Sequence, residues 1–233
     1  HSGKAMERLR VLVLAYMISP SRGSEYAVAW NHVEIMRDHC DLTVLYGAAG
    51  SHMGDVDDFA EPSFEDTRGN STVRFSFVAP PANARWLNGL NRRGIFAYSF
   101  YFAYRAWHRA ALAEARRLLA HQKFDVIHYL GPIGYREPGY LWQLPLPYVW
   151  GAIGGATSFP WQFRKTMPLK GRFRLMARAI GNALQLRFSR RVGRALRRAD
   201  VLLTATTGNQ ALFARHQSVA STYLPENGIK DVI

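Results

Sequence analysis

Residues 124–160, FDVIHYLGPIGYREPGYLWQLPLPYVWGAIGGATSFP, decide the fold. They read as strand, loop, short helix, strand and glycine-rich loop. One apolar strand ends at His128 and the next at Gly151. Ligands of open α/β sheets bind outside the carboxyl ends of the strands. His128 and the Gly154–Gly155 pair are therefore expected to face one crevice from neighbouring strands.

Working outward, residues 8–16 (RLRVLVLAY) form a continuous apolar run with β-branched members, the mark of a strand buried on both faces. A loop with Gly23 follows. Residues 24–39 carry Ala27, Trp30, Val33 and Met36 at helical spacing, and 41–46 read as a second strand. This βαβ unit calls for a right-handed crossover. Residues 47–71 are polar and partly acidic and read as a long surface loop. A third strand at 73–78 stops at Pro80–Pro81, and 93–120 read as one long helix. Strands four and five lie at 124–129 and 148–150. Residues 168–198 read as mostly helical, 201–205 as strand six, 208–216 as a short helix and 221–224 as a last strand. Strands alternating with helices predict an α/β fold: a Rossmann-like domain with a parallel sheet of about seven strands and helices on both faces. Residues 1–6 read as a remnant outside the fold, 7–226 as one domain and 227–233 as the start of a hinge.

The 233 residues are 48% hydrophobic, enough for a real core and not the composition of a disordered chain. A single cysteine, Cys40, excludes an intramolecular disulfide framework and reads as packing. No apolar run reaches the roughly 18–20 residues that span a bilayer. The net charge is +13. It is segregated: residues 163–198 hold twelve Lys or Arg and no Asp or Glu. Such a face implies an anionic partner, whether phospholipid, nucleic acid or phosphorylated ligand. No nucleic-acid-binding motif accompanies it.

Candidate chemistry sits in four places. Gly23, Ser24 and Glu25 open a helix, where free N–H groups and positive potential suit a phosphate; the same residues also make a plain N-capped turn. No dinucleotide fingerprint G-x-G-x-x-G is present. His128 either faces a cleft or hydrogen-bonds a neighbouring loop, and no second His or Cys stands at metal-ligand spacing. The loop WGAIGGATS offers backbone N–H groups from Gly154, Gly155 and Thr157 to a sugar or phosphate, or is simply a tight connection. Arg136 can grip a phosphate bidentately or pair with a carboxylate such as Glu137. In the basic segment Phe173, Met176, Ile180 and Leu184 make one apolar stripe, and Phe188, Val192, Leu196 and Ala199 another. One stripe is expected to pack on the sheet while Arg190, Arg191, Arg194, Arg197 and Arg198, with Arg174 and Arg178 upstream, face out toward an anionic surface.

Several segments, in order, resemble glycosyltransferase family 4, whose members have the GT-B fold. RVLVLAYMISPSRGSEYAVAWN (10–31) resembles its first strand, glycine loop and helix start. FDVIHYLGP (124–132) resembles its D-[VI]-[VI]-H strand end. YREPGYLWQLPLPYVWGAIGG (135–155) resembles a bacterial subgroup with R-x-P…LW…PFVWGPVGG. ADVLLTATTGNQALF (199–213) and LPENGI (224–229) resemble its last strands and hinge. Ser24, Leu130 and Ala152 depart from the family pattern, standing where a glycine, a second histidine and a proline are common.

The resemblance implies the N-terminal, acceptor-binding half of a retaining, metal-independent transferase that uses a nucleotide-sugar and no cofactor. A C-terminal domain would bind the donor, so this chain alone is expected to be inactive. Gly23 would lie near the donor phosphates, His128 at the reacting sugar and Gly154–Gly155 on the acceptor side. The acceptor would be a glycan or lipid-linked molecule, and the enzyme cytoplasmic and peripheral at the inner membrane. The competing reading is a non-enzymatic α/β module that binds an acidic polymer through its arginines.

Overall fold

The computed structural model describes residues 8–20, 25–47, 63–68, 71–95, 99–157 and 168–225. The chain divides into two compact units, residues 1–132 with 139–149, and residues 133–138 with 150–233.

In the first unit the strands are β1 (Leu9–Ala15), β2 (Cys40–Tyr46), β3 (Ser63–Arg68), β4 (Ser71–Phe77) and β5 (Val126–Gly131). Their order is β3-β4-β2-β1-β5. β1 pairs in parallel with β2 and β5, and β2 in parallel with β4. β1 is central, so both of its faces are covered: Val11 through Tyr16 are buried without interruption. Alternation divides them. Val11, Val13 and Ala15 join Val33 and Ala29 of α1 (Glu25–Met36) in one core, with Val44, Phe75 and Leu130. On the opposite face Tyr16 stacks edge-on against Trp107, ring centres 4.6 Å apart, and tilts against Tyr104 at 4.7 Å. Both partners belong to α3 (Ser99–His121). The Trp107 indole donates to the Val78 carbonyl at 2.8 Å, which satisfies its one buried polar atom.

Two elements depart from the sequence reading. The predicted surface loop contains β3, an antiparallel partner of β4 in which Ser63 pairs with Ser76 and Arg68 with Ser71. The sheet is thus not wholly parallel. The predicted long helix from residue 93 begins at Ser99, and a separate helix, α2 (Ala82–Arg92), precedes it directly after Pro80–Pro81. Pro81 serves as its N-cap residue in extended conformation.

A short 3-10 helix (Leu141–Gln143) leads to β6 (Tyr148–Ile153), which begins in the first unit and ends in the second. Within the first unit the Ile127 amide donates to the Pro147 carbonyl at 2.9 Å, just before β6 opens. Within the second, the Ala205 amide donates to the Ile153 carbonyl at 2.9 Å, and β7 (Val201–Thr204) pairs in parallel with β8 (Thr222–Tyr223). The basic segment forms two helices, α4 (Leu169–Phe188) and α5 (Arg190–Arg198), broken at Ser189, whose hydroxyl caps α5 through the Val192 amide. α6 (Thr207–Gln217) is capped by Thr206 and ends at Ser218 in the left-handed region. The apolar side of α5, Val192, Ala195 and Leu196, is buried. The stripe Phe173, Met176, Ile180 and Leu184 of α4 is exposed instead.

Candidate functional site

Glu25 and His128 lie in the first unit. Gly23 and Ser24 fall outside the described residues. Glu25 begins α1 and places a carboxylate in its first turn, a favourable arrangement against the helix dipole. His128 is not at the end of its strand: β5 runs three residues further, to Gly131. The run Tyr129–Leu130–Gly131 stays hydrogen-bonded to β1 because Leu14 and Ala15 continue the ladder, with a register slip between them. His128 stands opposite Val13 and is 8% exposed. By alternation it shares the α1 face of the sheet with Leu130. A histidine there has only a small window on solvent, and its imidazole must be satisfied largely by protein.

The other face of β5 carries a second histidine network that the sequence pattern does not mark. Tyr129 hydroxyl lies 3.2 Å from His108 Nε2, both buried. Gly139, with φ of +58°, lets the chain pass over that imidazole; a Cβ there would lie 2.8 Å from His108 Nδ1. Burial pushes the Tyr104 phenol, packed against His108, well above its ordinary range. The signal was the spacing Tyr104–Trp107–His108–Ala111 within an otherwise apolar run. All four are buried, and they read as packing rather than chemistry.

The remaining predicted residues lie in the second unit, where most have structural partners. Arg136 bonds Asn182 Oδ1 on α4, and its carbonyl receives Gln185 Nε2 at 3.5 Å. Glu137, nearly inaccessible, pairs with Arg191. Tyr135 donates to the Asn182 carbonyl at 3.4 Å and meets Phe213 edge-on. Residues 133–138 thus tie α4 and α5 down, and Arg191 spends its charge inward rather than on a surface. Asn182 was missed because the helix shows a stronger apolar stripe elsewhere. Its inward line, half-buried Leu175 and Ala179 and buried Asn182 and Leu186, is weaker in hydrophobicity but is the one that faces protein.

The glycine-rich loop is also largely engaged. Gly154 donates to Ile133 at 2.8 Å and bridges Gly134. The amides of Ala156 and Thr157 both donate to Asn209 Oδ1 at 3.1 Å. The expectation that this loop leaves its N–H groups open is corrected for residues 154, 156 and 157. Gly151, with φ of +130°, is required by packing, since a Cβ would collide with the Leu203 carbonyl. Gly155, exposed at φ of +80° with open space around it, and the exposed Thr157 side chain remain accessible to a ligand. Arg190, Arg194 and Arg197 are exposed on α5, Arg197 bonding Gln217 at 2.8 Å. Arg198 pairs with Asp200 at 2.9 Å. Arg174 and Arg178 fall within α4, their side chains outside the description.

No protein-family profile and no curated protein matches the sequence. Solved structures do. An α,α-trehalose 6-phosphate synthase from Burkholderia multivorans aligns over 94% of this chain and 49% of its own, at 14% identity and a TM-score of 0.50. An E. coli trehalose-6-phosphate protein bound with UDP-2-fluoro glucose aligns over 95% of this chain and 49% of its own, at 12% identity and a TM-score of 0.46. A UDP-forming α,α-trehalose-phosphate synthase from Burkholderia xenovorans, in complex with glucose-6-phosphate, gives 93%, 49%, 11% and 0.49. The chain spans about half the length of each. The likeness shows the fold: a Rossmann-like domain corresponding to about half of a GT-B enzyme.

Proposed function

We propose that this chain is the acceptor-binding half of a retaining, metal-independent sugar transferase that takes its sugar from a nucleotide-sugar. The observation that carries the reading is coverage: 94% of the chain follows about half of an α,α-trehalose 6-phosphate synthase. The ordered family-4-like segments support it independently of shape. In this reading His128, 8% exposed, is the residue at the reacting sugar. Gly23, Ser24 and Glu25 are assigned to the donor phosphates. Gly155 and Thr157 offer the accessible part of the acceptor side. Arg136 acts indirectly, by fixing the segment that leads into this region. The acceptor is a glycan or lipid-linked molecule, and the protein works at the cytoplasmic face of a membrane.

The reading requires donor-binding groups beyond this domain, because departure of a nucleoside diphosphate needs positive groups and N–H donors placed around the two phosphates. The 233-residue chain by itself is therefore expected to turn over no nucleotide-sugar, while the full product of its gene transfers sugar. Radiolabelled UDP-, GDP- and ADP-sugars incubated with each protein and a membrane extract provide the assay. Transfer by the 233-residue chain alone would overturn the two-half arrangement.

A further inference from the structure

The outward face of α4 has no counterpart in the proposed chemistry. Leu169, Phe173, Met176, Ile180, Leu184 and Phe188 recur every three or four residues, so they share one face. They are between 41% and 78% exposed. The opposite face is occupied: Asn182 and Leu186 are buried, Asn182 holds Arg136, and the Leu186 carbonyl receives Gln217. The helix cannot roll to bury the stripe without breaking these bonds. A continuous apolar face of this size on a folded domain marks an interaction site rather than scattered surface residues.

We infer that α4 lies in the plane of an anionic membrane, its apolar stripe inserted at the headgroup boundary. Charge complementarity identifies the occupant. Lys170, Arg172 and Arg187 are exposed along α4, and Arg190, Arg194 and Arg197 continue the positive surface on α5. Residues 163–198 contain no acid to oppose them. An apolar stripe with cations beside it, on a helix too polar to cross a bilayer, is the pattern of an in-plane helix. Its 20 residues give about 30 Å of contact at 1.5 Å per residue. A polyanion such as RNA would be held by the cations but has no use for Leu, Ile and Met in the middle of the footprint. The inference rests on the second unit alone and does not require the transferase reading.

The test uses the whole chain with Cys40→Ser and Ile180→Cys, labelled at position 180 with an environment-sensitive fluorophore. With vesicles of phosphatidylcholine enriched in phosphatidylglycerol, which gives the surface a negative potential, emission should shift to the blue and rise several-fold. Pure phosphatidylcholine should give little change. Phe173→Glu with Leu184→Glu should lower vesicle affinity by at least about tenfold and leave the melting temperature unchanged, since both side chains are exposed. Arg190→Glu with Arg194→Glu should remove the preference for anionic lipid and its salt sensitivity. An unshifted probe on anionic vesicles overturns the inference. So does a stable dimer in which the stripe is covered by a second copy, or RNA binding tighter than vesicle binding at matched salt.

Discussion

At the residue scale, burial redistributes the roles that composition suggests. Arg136, Arg191 and Gly154 looked like ligand contacts in the sequence, and each is engaged within the protein: with Asn182, with Glu137, and with Ile133 and Gly134. Cys40 shows the same inward logic. It opens β2, packs against the core, and burial raises its thiol above the ordinary range despite the opposing Arg8, so it suits packing better than nucleophilic chemistry. His128 keeps a window on solvent and is the residue on which the proposed chemistry depends. His128→Ala in the full gene product is expected to lower kcat about 100-fold or more, the scale of losing one transition-state contact, about 2.7–4 kcal/mol. Its burial adds a stability cost of about 1–3 kcal/mol for whatever partner is left behind. Turnover per folded molecule separates the two effects. If that value stays within a few-fold of the wild type while the melting point drops, His128 is structural.

At the element scale, strongly patterned segments were legible and weakly patterned ones were not. β1 announced itself as an unbroken apolar run because a central parallel strand is covered on both sides. β3 could not, since SFEDTR is a polar edge strand whose pairing comes from β4 and not from its own pattern. α2, ANARWLNGLNR, is rich in Asn with a central Gly, so propensity argued against a helix that packing against α3 supports. In the second unit two stripes competed on α4, and the more hydrophobic one proved to be the outward one. Tethers from residues 133–138, distant in sequence, made that choice, so no local reading could have made it. The junction of β1 and β5 carries a pH prediction. The Arg10 amide donates to Asp125 Oδ2 at 2.8 Å and the Asp125 amide returns the bond to the Arg10 carbonyl at 2.8 Å. The backbone hydrogen bond from Arg10 holds the Asp125 carboxyl below its ordinary range, aided by the Arg10 side chain. A folded pKa below the unfolded one means the contribution is present above the unfolded value, about 3.9, and is lost as pH falls through the lower folded value. Asp125→Asn should flatten the acid limb of the stability curve below about pH 4. Urea titrations from pH 2.5 to 7 read the effect. An unchanged slope in that limb would show that the carboxylate contributes nothing there. The group is partly exposed, so the effect is small.

At the scale of the whole molecule, the net charge is +13 and the chain spans about half the length of the synthase whose fold it shares. The basic balance raises the local concentration of anionic partners by long-range attraction that salt weakens. Fold class was readable from the alternation of strands and helices alone. The candidate site was readable only in outline, because which loop amides are free depends on side chains such as Asn209, more than fifty residues away. The role proposed for this domain is in a retaining transfer of sugar from a nucleotide-sugar. The most direct measurement is proton NMR of the glycoside formed by the full gene product, read at the anomeric position within the first minutes of reaction. The expected product has the α or β configuration of the donor's own anomeric carbon. A product of the opposite configuration, or no glycoside from any nucleotide-sugar offered with a membrane extract, would contradict it.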